Sequence, residues 1–364
     1  MQPIRYPLME VDLAAIEQNA KAITGMCARY GIGVAGVIKF SDGRVPIAKA
    51  YAAGGCKQIA VARAKHLQEI KTALPEHETL LTRAPAATDL EDAARWGDII
   101  LHSDADGLRA LADAAEKTDA RPGVILMLDV GDLREGVDSI EELTALARLV
   151  ERDLPRLRLR GVGCAVACLN GVLPDWDNLS FLASGADAVE QAIGRKLELV
   201  SGGSSINLRL LVNGKNEMPP RINHLRIGGT IANPMNFRIN RGIRLEGTRE
   251  DTVRLKAQII EIHEKESAPK NSTKNWAGLE IHREDKGRRL RAIAALGEQD
   301  IGEASMLLPL DEGVEIVGAS SDHLILDVSD SPRAWRYGDV ATFGVKYMAM
   351  LHGFTGSHVS VRYL

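Results

Sequence analysis

From residue 34 onward, eight short apolar runs alternate with amphipathic stretches, and this alternation limits the fold more than any other feature. The runs are "VAGVIK", "QIAVA", "TLLTRA", "DIILHS", "GVILMLDV", "LRGVGCAVA", "LELVSGG" and "INHLRIGGTI". Between them lie Ala- and Leu-rich segments such as "RAKHLQEIKTAL", "DGLRALADAAEK" and "SIEELTALARLVERDL". In the last, Ile140, Leu143, Leu146 and Val150 share one face at helical spacing. Strands that alternate with helices imply a parallel sheet, because each parallel strand needs a crossover. Eight such units predict an α/β fold, a (β/α)8 TIM-like barrel; an open doubly wound sheet would follow if one or two strands were miscounted. After about residue 245 the pattern becomes β-like and closely spaced, in "DTVRLKAQIIEIHEK", "RRLRAIAALGEQD", "VEIVGASSDHLILDVSD" and "DVATFGVKYMAML". This predicts a barrel domain over residues 1–244 and an all-β domain over 245–364, with the polar "EKESAPKNSTKNWAG" as an exposed loop.

Composition removes several function classes. The 364 residues are 45% apolar and 26% charged, with a net charge of −4 and only 4% aromatic residues, so neither a nucleic-acid partner nor a base-stacking surface is expected. No run is long enough to span a bilayer, and no secretory leader is recognisable, so no membrane association is expected. Cys27, Cys56, Cys164 and Cys168 have neither disulfide-framework nor zinc-site spacing; the C-x3-C pair reads as buried thiols. A reducing cytoplasm is the expected compartment.

In a barrel the C-terminal tips of the strands share one face, and that face carries the chemistry. The first tip delivers Lys39. The fifth is followed by "LDVGDLREG", with Asp129, Asp132 and Arg134; the seventh ends in "SGGSS", with Gly203, Ser204 and Ser205; the eighth, "LRIGG", carries Arg226, Gly228 and Gly229. A lysine at one strand end ordinarily marks only where the strand meets water. Glycines and serines after strands seven and eight, however, suit a phosphate. A lysine, a phosphate cradle and an inward arginine on one rim point to pyridoxal 5'-phosphate, with Lys39 holding the cofactor aldehyde.

From "MEVDLAAIEQNAKAI" to the C-terminus the chain resembles the alanine racemase family, fold type III pyridoxal phosphate enzymes, and within it the ornithine racemase-like members. "GVIK" is similar to the family's cofactor-lysine segment, "SGGSSINL" to its phosphate-binding segment, and "LRIGG" to its Arg-x-Gly. "LPLDEGVEIVGASSDHLILDV", "LGEQDI" and "CLNGVLP" look most like ornithine racemase-type members. The resemblance implies that Arg226 faces the pyridine nitrogen, Gly228 lies near phosphate, Arg134 binds the substrate carboxylate and Tyr347 in "VKYMAML" reaches the phosphate. It also implies an N-terminal strand joined to the β domain, and a head-to-tail homodimer with shared active sites. There Ser321 and Asp322 in "GASSDHL" would stand near the partner subunit's substrate. Asp129 and Asp132 are expected to orient Arg134, although Arg134 paired merely with Glu135 or Asp138 is the plain alternative.

The departures from the family bear on substrate. Ala165 stands where a His or Asn is usual, Met127 where many alanine racemases have lysine, and "FSDGR" after Lys39 has no tyrosine. No tyrosine occurs either in "SAPKNSTKNWAGLEIHREDKGRRLRAIAALG", where alanine racemases carry a base. The reading is therefore a pyridoxal phosphate-dependent amino-acid racemase, acting on ornithine or another basic amino acid. It removes and returns the α-proton, with Lys39 on one face and Cys168 or His282 on the other. Arg226, which does not give up its proton, keeps the ring nitrogen unprotonated and disfavours transamination. Dehydratase or aldolase chemistry on a D-amino acid, and a non-enzymatic cofactor carrier, remain alternatives. No metal is expected.

Overall fold

Strands buried on both faces read as continuous apolar runs, and each of the eight runs forms such a strand. The computed structural model describes residues 4–271, 274, 280 and 283–364. It divides into two units: Leu13–Glu250, and the segment through Asp12 together with Asp251–Leu364. The first strand, β1 (Leu8–Val11), belongs to the latter. The barrel strands are β2 (Gly33–Val37), β3 (Gln58–Val61), β4 (Glu78–Leu81), β5 (Ile99–His102), β6 (Gly123–Met127), β7 (Arg158–Gly163), β8 (Leu199–Ser201) and β9 (His224–Ile227). They close in sequence order into a barrel, as the alternation predicts. The closing pair is parallel, with Gly33 opposite His224 and Ala35 opposite Arg226.

Around the barrel run α1 (Leu13–Ala28), α2 (Val45–Ala53), α3 (Leu67–Ala73), α4 (Leu90–Trp96), α5 (Ala105–Lys117), α6 (Ile140–Asp153), α7 (Trp176–Ile193), α8 (Gly229–Ala232) and α9 (Met235–Arg241). The starts of α5, α6 and α7 are set by side-chain caps. Asp104 accepts from Gly107 N at 2.7 Å, and Ser139 from Glu142 N at 3.2 Å. Inside, Ala35, Val37, Ala60, Leu80, Ile99, Leu101, Ile125, Met127 and Ala165 pack together, so the barrel is a filled core with its chemistry on the rim. Met127 and Ala165 belong to this apolar floor. Fully buried Asn19 on α1 donates to Ile231 O and Arg249 O and accepts from Arg249 N, which fastens the end of the unit to its beginning.

The second unit contains β10 (Val253–Glu266), β11 (Arg288–Ala294), α10 (Glu298–Ile301), β12 (Leu307–Pro309), β13 (Glu315–Ala319), β14 (Leu324–Asp327), β15 (Val340–Val345), α11 (Tyr347–Thr355) and β16 (Ser360–Tyr363). Its sheet runs β12-β15-β10-β11-β14-β13, with β1 antiparallel to β10 and parallel to β16. Glu10 on β1 is buried. Burial alone would raise its carboxyl, but Lys256 at 2.6 Å and Arg362 more than offset that and hold it below the ordinary range.

Two local readings are corrected. "YMAML" is the start of α11 rather than a continuation of β15. Met, Ala and Leu favour a helix once the β-branched run ends, and a short apolar run does not by itself distinguish the two states. The "EKE" placed in a loop is the end of β10. There Glu264 and Glu266 lie 3.6 and 3.7 Å from Arg288 across the strand pair, so opposite charges extend the ladder past its apolar part. Among the described residues, no helix is long and apolar enough to cross a membrane.

Candidate active site

Lys39 opens a single 3-10 turn, Lys39–Ser41, immediately beyond β2. Its side chain is exposed, and among the described residues no hydrogen bond or ion pair holds its ammonium. The turn ends at Asp42, in left-handed backbone (φ 49°), whose carboxylate lies 3.0 Å from His66 Nε2 and 3.8 Å from Lys65 Nζ.

Strand alternation puts His224 and Arg226 on one face of β9, and both are buried. Arg226 Nη1 donates to Ser201 Oγ, and Nη2 to Cys164 O at 2.7 Å. Its hydrogen-bond partners are thus neutral oxygens. Burial pulls its pKa below the ordinary arginine value; Cys164, Glu135 and Cys168 oppose that, while Arg134 adds to it. These electrostatic contacts bring the loops after β6 and β7 within reach of the guanidinium on β9. Of the tip residues chosen from sequence, Arg134 and Cys168 thus lie within electrostatic reach of Arg226.

Ser201 Oγ also lies 2.9 Å from His224 Nδ1, while His224 Nε2 is buried with no partner. Burial, reinforced by the neighbouring Arg226 cation, pushes His224 down to about 3, so it is neutral at physiological pH. The unfolded chain takes up this proton near pH 6.5 and the folded chain does not. Stability should therefore fall as pH drops from 6.5 towards 3, by about 1.4 kcal/mol per pH unit from this residue. In urea unfolding between pH 6.5 and 4, His224→Gln should show a shallower decline than the parent chain. Equal slopes would mean that the ring is not buried neutral.

Beyond β8 and β9 the backbone forms a cradle. Gly203 has φ +116°, and a Cβ there would stand 2.9 Å from Val166 Cγ2; at Gly228 it would stand 3.1 Å from Val37 O. Arg226 N donates to Gly203 O at 2.9 Å, and Gly228 N to Ser205 Oγ at 3.2 Å. Ser204 Oγ donates to Val166 O at 3.5 Å, and Gly229 opens α8. The buried Tyr51 hydroxyl donates to Gly228 O at 2.9 Å, fixing the tip of β9 from beneath.

Asp129 and Asp132, after β6, do not bond Arg134 directly; they brace the loop that carries it. Asp129 Oδ1 accepts from Gly131 N and Leu133 N within its own loop. Asp132, 1% exposed, accepts from Cys168 N, Leu169 N and Asn170 N, so it ties the loop after β6 to the loop after β7. Arg134 instead pairs with Glu135 at 2.6 Å. Cys27, Cys56 and Cys164 are buried, with thiols pushed up to about 12 by burial. Cys168, expected to be buried as well, is exposed; its N–H donates to Asp132 and its Sγ donates to Val166 O at 3.3 Å.

Ser321, Asp322 and Tyr347 lie in the other unit. Ser321 and Asp322 occupy the β13–β14 turn, where Ser321 O accepts from Gln299 N at 3.3 Å and Asp322 Oδ1 accepts from Gln299 Nε2; Tyr347 begins α11. His282 lies outside the described residues. Sequence reasoning missed Ser201, His224 and Tyr51, and named Glu135 only as a plain ion-pair partner of Arg134. The i, i+2 spacing of His224 and Arg226 was the available signal for His224. Among the described residues, no group of three or more His, Cys, Asp or Glu side chains is arranged to hold a metal ion.

Residues 11–232 match the family described as alanine racemase, N-terminal domain. The chain belongs to the alanine racemase family. Over 355 residues it is 35% identical to ornithine racemase of Acetoanaerobium sticklandii, covering 97% of this chain and 98% of that protein. Over 359 residues it is 33% identical to lysine racemase of Thermotoga maritima, covering 98% of each. Alanine racemase of Clostridium difficile 630 shares the fold, with a TM-score of 0.71 at 16% identity, over 100% of this chain and 97% of that one.

The alanine racemase family uses pyridoxal 5'-phosphate, and the barrel rim fits it. A buried guanidinium bonded only to neutral oxygens suits a further acceptor such as a ring nitrogen. Gly203 and Gly228 let the backbone after β8 and β9 pack directly on Val166 and Val37, and the Ser204 and Ser205 hydroxyls carried by the same segment are of the kind that suits a phosphate. Lys39, with no partner among the described residues, suits the aldehyde.

Proposed function

We propose that this protein is a pyridoxal phosphate-dependent racemase of basic amino acids, with ornithine and lysine as its foremost substrates. The observation that carries the reading is that Lys39, without a partner among the described residues, stands on the same barrel rim as a buried Arg226 whose hydrogen-bond partners among those residues are neutral oxygens. The full-length likeness to an ornithine racemase and a lysine racemase supports the substrate class.

Lys39 is assigned to the cofactor aldehyde and Arg226 to the ring nitrogen. Gly203, Ser204, Ser205, Gly228, Gly229 and Tyr347 are assigned to the phosphate. Bound there, the cofactor supplies the electron sink that makes the substrate's α-proton acidic. Arg226 offers N–H groups that keep their protons, which restricts the chemistry to proton exchange at Cα. Arg134 holds the substrate carboxylate through its planar fork. Lys39 Nζ moves the proton on one face of Cα, and Cys168 Sγ or His282 moves it on the other. The protein works as a homodimer in the reducing cytoplasm, each site completed by Ser321 and Asp322 of the partner subunit.

Turnover of each enantiomer in heavy water at low conversion tests this mechanism. Two separate bases place solvent deuterium mainly in the inverted product and little in recovered substrate. Rapid, equal labelling of both would contradict the two-base mechanism. Cys168→Ala or His282→Ala should abolish racemisation with cofactor retained; full activity in both would eliminate both candidates.

A further inference from the structure

The loop between β6 and α6 is built to hold one charged pair in a fixed place. Its ends are pinned by Val137 N donating to Met127 O at 3.0 Å and Asp129 N to Val137 O at 2.8 Å. It closes through Gly136 at φ +122°, where a Cβ would stand 2.5 Å from Asp129 N, so a side chain there would prevent closure. Asp129 braces the loop from within and Asp132 ties it to residues 168–170. The braced loop projects Arg134 and Glu135 together, 2.6 Å apart and both about one-third exposed.

The acids near this rim differ in what already occupies them. Asp129 and Asp132 accept backbone N–H groups, and Asp42 is taken by His66 with Lys65 beside it. Glu135 alone among these four has a single side-chain partner, Arg134, and its charge reaches the buried Arg226. When a substrate carboxylate takes Arg134, Glu135 loses that partner. A neutral amino acid leaves the carboxylate unpaired. A basic one brings an ammonium to replace the lost cation, so one internal ion pair is exchanged for two across the substrate.

We propose that Glu135 binds the side-chain ammonium of the substrate, released for that role when the α-carboxylate engages Arg134. This rests on the reading of the protein as a racemase of basic amino acids. It makes one residue both the resting partner of Arg134 and the selector of substrate class.

The test compares the holoenzyme's kcat/KM for L-ornithine with that for L-norvaline, the same carbon chain without the ammonium. Glu135→Gln should lower the ornithine-to-norvaline ratio by roughly 10-fold or more, chiefly through KM. Glu135→Asp should fall between the two. Binding of α-methylornithine and α-methylnorvaline, which have no α-proton, followed by the cofactor's visible absorbance, should show the same selective loss without turnover. Equal loss for both chains would make Glu135 a residue that only positions Arg134, and an unchanged ratio would remove it from recognition. A selective loss in Asp322→Asn or Asp42→Asn instead would assign the ammonium elsewhere. In each of these cases the parent enzyme still racemises ornithine, so only this inference fails. A parent enzyme that racemises neither ornithine nor lysine would overturn the functional reading together with it.

Discussion

Replacing Lys39 with alanine leaves the purified protein colourless and lowers racemisation by roughly 10²–10⁴-fold or more. The colour is lost because the covalent link between Nζ and the cofactor aldehyde absorbs visible light. Turnover is lost because the same nitrogen moves a proton at Cα. The variant should nonetheless fold normally. Lys39 is exposed and its ammonium has no partner among the described residues, so its removal should change stability by no more than about 0.5 kcal/mol. Borohydride reduction of the parent protein followed by peptide mapping should place the adduct on Lys39. An adduct on Lys49 or Lys57 would show that another lysine reaches the cofactor.

The second large effect is expected at Arg134. Arg134→Lys should retain the cofactor and its colour while raising KM about 10-fold or more. Lysine preserves the charge but not the planar fork that matches a carboxylate with two parallel hydrogen bonds. The loop itself should survive, because it is held by Asp129, Asp132 and backbone bonds rather than by the Arg134 side chain. An unchanged KM would mean that the pair with Glu135 is all that Arg134 does.

The barrel was legible because burial on both faces forces each strand into an unbroken apolar run, and because the helices between them show their apolar faces at a spacing of 3.6. Once the order of strands was known, topology alone gathered Lys39, Arg134, Ser204 and Arg226 on one rim. What the sequence hid were contacts between distant segments. Asp132 reaches residues 168–170, and no local pattern connects an acid in one loop to amides in the next. Cys168, in the clamped segment, is exposed, although its neighbours Cys164, Ala165 and Val166 are buried. Ser201 looked like part of a glycine-rich turn, yet it joins His224 to Arg226 beneath the rim. The "YMAML" segment failed for a different reason: its few apolar residues satisfy a strand and a helix equally until their neighbours decide.

The central claim is that this rim inverts the α-carbon of a basic amino acid. Purified protein with added cofactor should be incubated separately with L-ornithine, D-ornithine, L-lysine and D-lysine, and the enantiomers resolved by chiral chromatography. The account expects each starting enantiomer to give its mirror image until the two are equal, from both directions. A chain that leaves every enantiomer unchanged, or that converts them to a keto acid or a cleaved product, would contradict it.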